Sequence, residues 1–263
     1  MTMTYGRYCD ELLSQTRALC AVLTTGDLSG RVPTCPDWTL GELATHVGQA
    51  HRWMTHIVRT RATAEVAEAD VPDIAGPGTS DAAALTAWLG ETASSAADAL
   101  RAAGPGTPVW TWSGDRHTDF WARRMTHETA VHRADACGAA GIPFTLAPDV
   151  AVDTIDEWLD IVSSPELQAH DPRLRELRER AGCTLRLHAT DAPDDLGAEW
   201  LIELGADGIG WRRGHAAASV ALRGPLTDVA LALCRRLPPT SGRVEVVGDA
   251  ELLDYWLART SFE

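Results

Sequence analysis

The hydrophobic pattern of this chain changes character near residue 145. Before that point, apolar residues recur at the three- and four-residue spacing of amphipathic helices. After it, several short segments alternate apolar and polar residues as strands do. A chain of 263 residues is long enough for two domains. We therefore predict an α+β two-domain protein, with a four-helix bundle over residues 1–145 and a smaller α+β domain over residues 146–263.

Capping and turn signals mark the helices of the first half. The sequence TLGE, from Thr39 to Glu42, has the form of a capping box and predicts the start of a helix. The preceding segment RVPTCPDW contains two prolines and is expected to be a linker that breaks the chain. The predicted helices lie at about 4–24, from 39 onward, at about 81–103 and at about 118–138, with a loop at about 64–79.

The second half combines strand-like and helix-like segments. The segments TLRLHAT, AEWLIEL, IGWRRG, ASVALRG and RVEVVG predict strands, and helices are expected near 147–164, 226–236 and 250–259. Asp207 and Gly208 supply a hairpin turn between two of these strands. The sequence GADGIG around this turn resembles a phosphate-binding loop, but it does not open a helix. We therefore interpret it as a hairpin and exclude nucleotide binding there.

Charge and cysteine usage exclude several classes of function. The formal net charge of −14 argues against nucleic acid or an anionic membrane surface as the main partner. The six cysteines contain no C-x-x-C pair, and none has a histidine motif beside it, so we expect reduced thiols. The start of the sequence has no apolar signal core, and no segment is apolar enough for a membrane span. The expected location is the cytoplasm. The sequence does not indicate an oligomeric state.

Three side chains on two predicted helices have the composition of a metal site. Glu128 and His132 lie four residues apart, which places them on one helical face with Cβ atoms about 5–6 Å apart. His46 lies on the second predicted helix, at the edge of its apolar stripe. Two imidazoles and one carboxylate leave a metal ion with an open coordination position. A Glu and a His four residues apart on a helix are common, so the residue pattern alone favours a structural interpretation. In that interpretation Glu128 pairs with Arg124, His132 is a hydrogen-bonded core histidine and His46 is unrelated.

Neighbouring residues refine this interpretation. A zincin motif is excluded, because His127 and His132 are five residues apart and that motif needs four. Asp135 lies one turn beyond His132 and can either orient its imidazole or pair with a nearby arginine. His51 and His56 lie on other lines of their helix and are interpreted as ordinary polar residues.

Two longer segments carry a family resemblance. VPTCPDWTLGELATHVGQAHRWM (32–54) and FWARRMTHETAVHRADA (120–136) resemble the signature stretches of the mycothiol-dependent maleylpyruvate isomerase family, within the DinB-like metalloprotein superfamily. The resemblance implies a divalent metal, commonly zinc, held by His46, Glu128 and His132. It also implies a low-molecular-weight thiol cofactor, mycothiol or a similar compound, which adds to a small electrophilic substrate. The outcome would be cis-trans isomerisation or thiol S-transfer.

The resemblance extends to the second half. Family members carry a C-terminal α+β domain that resembles sterol-carrier folds, and an arginine in that domain is implicated in activity. Arg223 and Arg212 are the candidates for this role. Two other functions are compatible with the residues: a non-catalytic metal- or ligand-binding regulatory protein, and a metal-dependent hydrolase that needs no thiol.

Overall fold

The computed structural model describes residues 3–261, which divide into two compact units at residue 144. The first unit is Met3–Phe144, and the second contains residues 145 to 261. Within the described residues, no helix combines the length and the apolar character that crossing a membrane requires.

The first unit is a bundle whose long helices pack against one another. The helices are α1 (Tyr5–Thr25), α2 (Leu40–Thr60), α3 (Ala82–Ala103) and α4 (Thr118–Ala140). The capping box at the start of α2 is confirmed: the Glu42 N–H donates to the Thr39 hydroxyl at 3.2 Å, and the Thr39 N–H donates to the Glu42 carboxylate at 2.7 Å. The start of α3 is fixed in a similar way, because the Asp81 carboxylate accepts from the first N–H groups of the helix.

Two apolar clusters fill the bundle. One cluster includes Leu12, Met54, Leu100 and Trp121, and the other includes Leu19, Leu43, Leu89 and Cys137. α4 contributes to both clusters and is covered on most sides, so it also buries polar side chains.

The proline-containing segment before α2 is a short antiparallel β-hairpin, which corrects the prediction of a linker. Its strands are β1 (Arg31–Val32) and β2 (Cys35–Thr39), paired between Arg31 and Thr39 and between Val32 and Cys35. Pro33 lies in the turn, and Pro36 lies on an exposed strand position, where proline is tolerated. The pattern of alternation is too short to be recognised in the sequence.

The second unit combines a mixed sheet with helices on one face. Its strands are β3 (Thr184–Ala189), β4 (Glu199–Leu204), β5 (Ile209–Arg213), β6 (Val220–Gly224) and β7 (Glu245–Gly248). They are ordered β5-β4-β3-β6-β7, with β3 and β6 parallel and the other pairs antiparallel. The helices are α5 (Pro148–Ser163), α6 (Pro165–His170), α7 (Pro172–Glu176), α8 (Leu226–Leu233) and α9 (Ala250–Arg259). The predicted α+β architecture is confirmed.

Alternation along the strands decides which sheet face is covered. On β3, Leu185 and Leu187 are buried beneath α8, while Arg186 and His188 on the other face are half-buried. The turn between β4 and β5 is the predicted hairpin: the Gly205 N–H donates to the Gly208 carbonyl at 2.8 Å.

His51 is a fully buried core residue, which corrects its interpretation as an ordinary polar side chain. Its Nε2 lies 2.9 Å from the Thr129 hydroxyl on α4, and its Nδ1 lies 3.4 Å from the Thr92 hydroxyl on α3. The imidazole therefore joins three helices. Burial lowers the pKa of His51 from 6.5 to about 4, because the protonated ring loses its hydration.

The buried His51 predicts that the bundle is sensitive to acid. Its pKa is lower in the folded state, so the unfolded chain takes up the proton first and stability is lost as the pH falls from 6.5 towards 4. The loss from this group is expected to reach about 3 kcal/mol. We expect His51→Gln to unfold with a flatter pH dependence than wild type in urea titrations. His56→Gln, on the same helix, is the control, and identical profiles for wild type and His51→Gln would contradict the assignment.

Candidate metal centre

The structure brings the three sequence-predicted donors together between α2 and α4. His46 lies in the second turn of α2, and Glu128 and His132 lie one turn apart in the middle of α4. One donor atom from each side chain lies within 4.8 Å of the others. Glu128 Oε1 is 3.4 Å from His46 Nε2 and 3.1 Å from His132 Nε2. The two imidazole rings are nearly perpendicular, with centroids 5.1 Å apart.

The second oxygen of Glu128 faces an arginine. Arg124 Nη2 lies 3.2 Å from Glu128 Oε2. The ion pair that the sequence allowed as an alternative is therefore present together with the cluster of His46, Glu128 and His132. Burial alone would raise the pKa of Glu128. The neighbouring His132, His46 and Arg124 outweigh burial and hold this pKa well below its usual value. Glu128 is therefore a carboxylate at neutral pH.

A buried aspartate orients His132. Asp135 Oδ2 lies 2.9 Å from His132 Nδ1, and Asp135 Oδ1 accepts a hydrogen bond from the Thr34 hydroxyl at 2.6 Å. Of the two roles that the sequence allowed for Asp135, the structure therefore shows the orienting one. A proton held on Nδ1 leaves Nε2 facing Glu128 and available to a metal ion.

The same neighbours control the protonation of His132. Burial favours the neutral ring, but the charges of Glu128 and Asp135 and the hydrogen bonds to both raise the pKa of His132 to about 9. In the ion-free protein, His132 is therefore a cation at neutral pH and bridges the two carboxylates. A metal ion has to replace the proton on Nε2.

The donor set fits a divalent metal ion. Two imidazole nitrogens and one carboxylate oxygen suit zinc, iron(II), nickel or manganese. The side chains of His46 and Glu128 retain 38% and 27% of their exposure, so the cluster is open on one side. Openness on one side is what a catalytic centre requires for a further ligand.

Side chains of the β1–β2 hairpin complete the surroundings of the cluster. The Trp38 ring lies over His46, with centroids 4.7 Å apart, and Cys35 Sγ lies 3.8 Å from Asp135 Oδ2. Cys35, His132 and Asp135 form a second group of potential metal ligands. Sequence reasoning missed both contacts, because 100 residues separate Cys35 from Asp135 and Pro-Asp-Trp contributed only to the family resemblance.

The two candidate arginines lie in the other unit. Arg212 on β5 and Arg223 on β6 are exposed, and their strand registers place them on the same sheet face as Arg186 and His188 of β3. Arg223 Nη1 is 3.3 Å from Glu245 Oε2 on the neighbouring strand.

Comparison with known proteins gives a consistent set of matches. The family model described as the mycothiol maleylpyruvate isomerase N-terminal domain matches residues 9–137, and the MDMPI C-terminal domain model matches residues 149–255. A crystal structure of the mycothiol-dependent maleylpyruvate isomerase has 13% identity and a TM-score of 0.58, covering 94% of this chain and 95% of that one. A histidine-to-alanine mutant of that isomerase has 14% identity and a TM-score of 0.56, with the same coverage. A search of curated proteins found no significant match.

The raised pKa of His132 predicts that metal binding strengthens with pH. Each bound ion displaces one proton, so the logarithm of the apparent association constant should rise by about one per pH unit between neutral pH and about 9. Competition with a chelator of known affinity measures this slope for cobalt or zinc. Asp135→Asn removes one of the charges that hold the proton on His132. The association constant of this variant should therefore stop rising at a lower pH than that of wild type.

Stability of the ion-free protein should change in the opposite direction. The folded-state pKa of His132 lies above its ordinary 6.5, so its contribution to stability is complete below 6.5 and is lost as the pH rises through about 9. Metal affinity that does not change between neutral pH and 9 would contradict the assignment of this proton.

Proposed function

The chain belongs to the mycothiol maleylpyruvate isomerase family, and from this premise we propose that it is a metal- and thiol-dependent enzyme. Its cofactors would be a divalent ion, with zinc as the first candidate, and mycothiol or a similar low-molecular-weight thiol. Its substrate would be a small electrophile, and its reaction cis-trans isomerisation or thiol S-transfer. The residue ranges 1–145 and 146–263 are proposed as the metal-binding helical bundle and the C-terminal α+β domain.

One observation carries this proposal: the donor atoms of His46, Glu128 and His132 converge within 4.8 Å inside the region that the N-terminal family model covers. The cluster is open on one side, so a small thiol can reach it. These three residues would hold the metal ion.

A metal ion bound there would lower the pKa of a coordinated thiol and so supply a thiolate at neutral pH. The protein's own residues prepare the site for this role. Arg124 and the two histidines keep Glu128 ionised. Asp135 keeps the Nδ1 proton on His132, so that the ring offers Nε2 to the site.

The charges around the cluster also favour an anionic ligand. In the ion-free protein, Arg124 and protonated His132 balance Glu128 and Asp135. Exchange of the His132 proton for a divalent ion leaves one net positive charge on this group of side chains. Because a charge in a partly buried site is costly unless it is compensated, a thiolate is a more suitable ligand there than a neutral thiol.

The chemistry that such a thiol supplies is addition to an activated double bond. Addition leaves a single bond, about which the substrate rotates, and elimination then returns the thiol and gives the trans isomer. When the sulfur stays on the substrate, the same centre performs S-transfer.

The function is tested by measuring turnover of maleylpyruvate and of a thiol-reactive electrophile, each with and without mycothiol. We expect turnover only with the thiol. Glu128→Gln should lose bound metal by elemental analysis and lose turnover, while its circular dichroism stays that of wild type. Turnover without added thiol would favour a metal-dependent hydrolase. Bound metal with no turnover of either compound would favour a non-catalytic binding protein.

We also propose that Arg223 binds a carboxylate of the substrate. A guanidinium forms paired hydrogen bonds with a carboxylate, and Arg223 lies on an interior strand of the sheet, where its position is better defined than that of Arg212 on the edge strand β5.

Arg223→Ala is expected to lower kcat/KM by about 10- to 100-fold, because a charge-assisted hydrogen bond is lost, and to do so mainly through KM. Metal content should not change. Arg212→Ala, an exposed arginine on the same sheet face, is the matched control. A lower kcat/KM in Arg212→Ala, with no change in Arg223→Ala, would assign carboxylate binding to Arg212. No change in either variant would show that neither arginine binds the carboxylate.

A further inference from the structure

The two histidines of the metal centre are held in different ways. The His132 ring is buried and fixed at both nitrogens, by Asp135 at Nδ1 and by Glu128 at Nε2. His46 retains 38% of its side-chain exposure, and its contact with Glu128 is 3.4 Å long. Within residues 3–261, Nδ1 of His46 has no hydrogen-bond partner. Metal-binding imidazoles usually donate from this second nitrogen to a carboxylate, a backbone carbonyl or a water, and no described protein group accepts from it here.

The indole of Trp38 occupies the place next to this ring. The Trp38 and His46 ring centroids are 4.7 Å apart, at an interplanar angle of 40°. The same indole lies 6.1 Å from the His132 ring. The Nε2 contact with Glu128 does not by itself fix the His46 ring, and the Trp38 indole limits the rotation of that ring.

The hairpin gives Trp38 a fixed position. Val32 on β1 is fully buried in the bundle core, and Arg31 Nη1 donates to the Asp37 carbonyl at 2.8 Å. Beyond Trp38, the chain enters α2 directly through the Thr39 capping box. The backbones of Trp38 and His46 thus belong to one continuous segment that is hydrogen-bonded throughout.

We propose that Trp38 is a positioning residue for His46, in place of the hydrogen-bond acceptor that usually orients a metal-binding imidazole. The proposal rests on the metal site of the proposed function. An imidazole bound to a cation carries more positive charge than a free one, and an indole face attracts positive charge. The contact should therefore stabilise the metal-bound ring more than the free ring, so that Trp38 contributes to metal affinity as well as to orientation.

The test compares two apolar replacements that differ in their aromatic character. Trp38→Leu removes the ring face, whereas Trp38→Phe keeps one. Trp88→Leu is the packing control, because Trp88 also packs against α2, at Gly48, and makes no ring contact with His46 or His132 in the described residues. Cobalt affinity is measured by chelator competition, and the visible spectrum of bound cobalt reports the coordination geometry. In the ion-free proteins, NMR measures the ring-current shift of the His46 ring protons.

Trp38→Leu should bind cobalt about 10-fold more weakly, the lower end of the range for groups that orient metal ligands, with an altered cobalt spectrum. Trp38→Phe should remain within about threefold of wild type, because its ring still faces His46. Trp88→Leu should match wild type in both measurements. The upfield shift of the His46 protons should disappear in Trp38→Leu, and this result does not depend on metal.

Two results would overturn the inference and separate it from the proposed function. Equal cobalt affinity and equal spectra in wild type and Trp38→Leu would reject the role of Trp38 and leave the metal site intact. A wild-type protein that binds no cobalt would reject the metal site and, with it, the role of Trp38. If Trp38→Leu does not fold, the Trp38→Phe variant decides. A Trp38→Phe protein that keeps the wild-type shifts of the His46 protons but binds cobalt much more weakly would also reject the inference, because the ring would be in place without supporting the metal.

Discussion

The burial of charged side chains along α4 is the constraint on which the bundle depends. Arg124, His132 and Asp135 are almost inaccessible to solvent, and Glu128 lies between them. A charge removed from water has to be paired and hydrogen-bonded, or it destabilises the fold by several kcal/mol. On α4 each charge finds a partner one turn away, and the remaining acceptor of Asp135 is satisfied from the hairpin by Thr34.

The hairpin before α2 connects the packing of the bundle to the geometry of the candidate metal centre. A flexible linker in its place would leave Asp135 without the Thr34 hydroxyl and His46 without the Trp38 ring. The capping box at Thr39 joins this hairpin to α2 without an intervening loop. Local structure at one helix start thus places a side chain beside the proposed ligands of two different helices.

Much of the fold was predictable because its signals are local. The capping box at Thr39, the turn at Gly208 and the alternation on β3 each depend on a few adjacent residues, and the structure confirms all three. The hairpin from Arg31 to Thr39 was missed because two prolines in a short segment predict a break equally well. The juxtaposition of His46 with Glu128 was suggested by the family resemblance, since spacing along one helix cannot define contacts between two.

The contrast between His51 and His132 shows what sequence alone could not decide. Both imidazoles are buried in one bundle, yet the pKa of His51 is lowered to about 4 and that of His132 is raised to about 9. The hydroxyls of Thr92 and Thr129 carry no negative charge to offset the burial of a protonated His51, whereas His132 is held between two carboxylates. The two carboxylates beside His132 favour a cation there, whether a proton or a metal ion. These environments support His132 as the proposed ligand and His51 as a structural residue, although both lie within helices rich in apolar side chains.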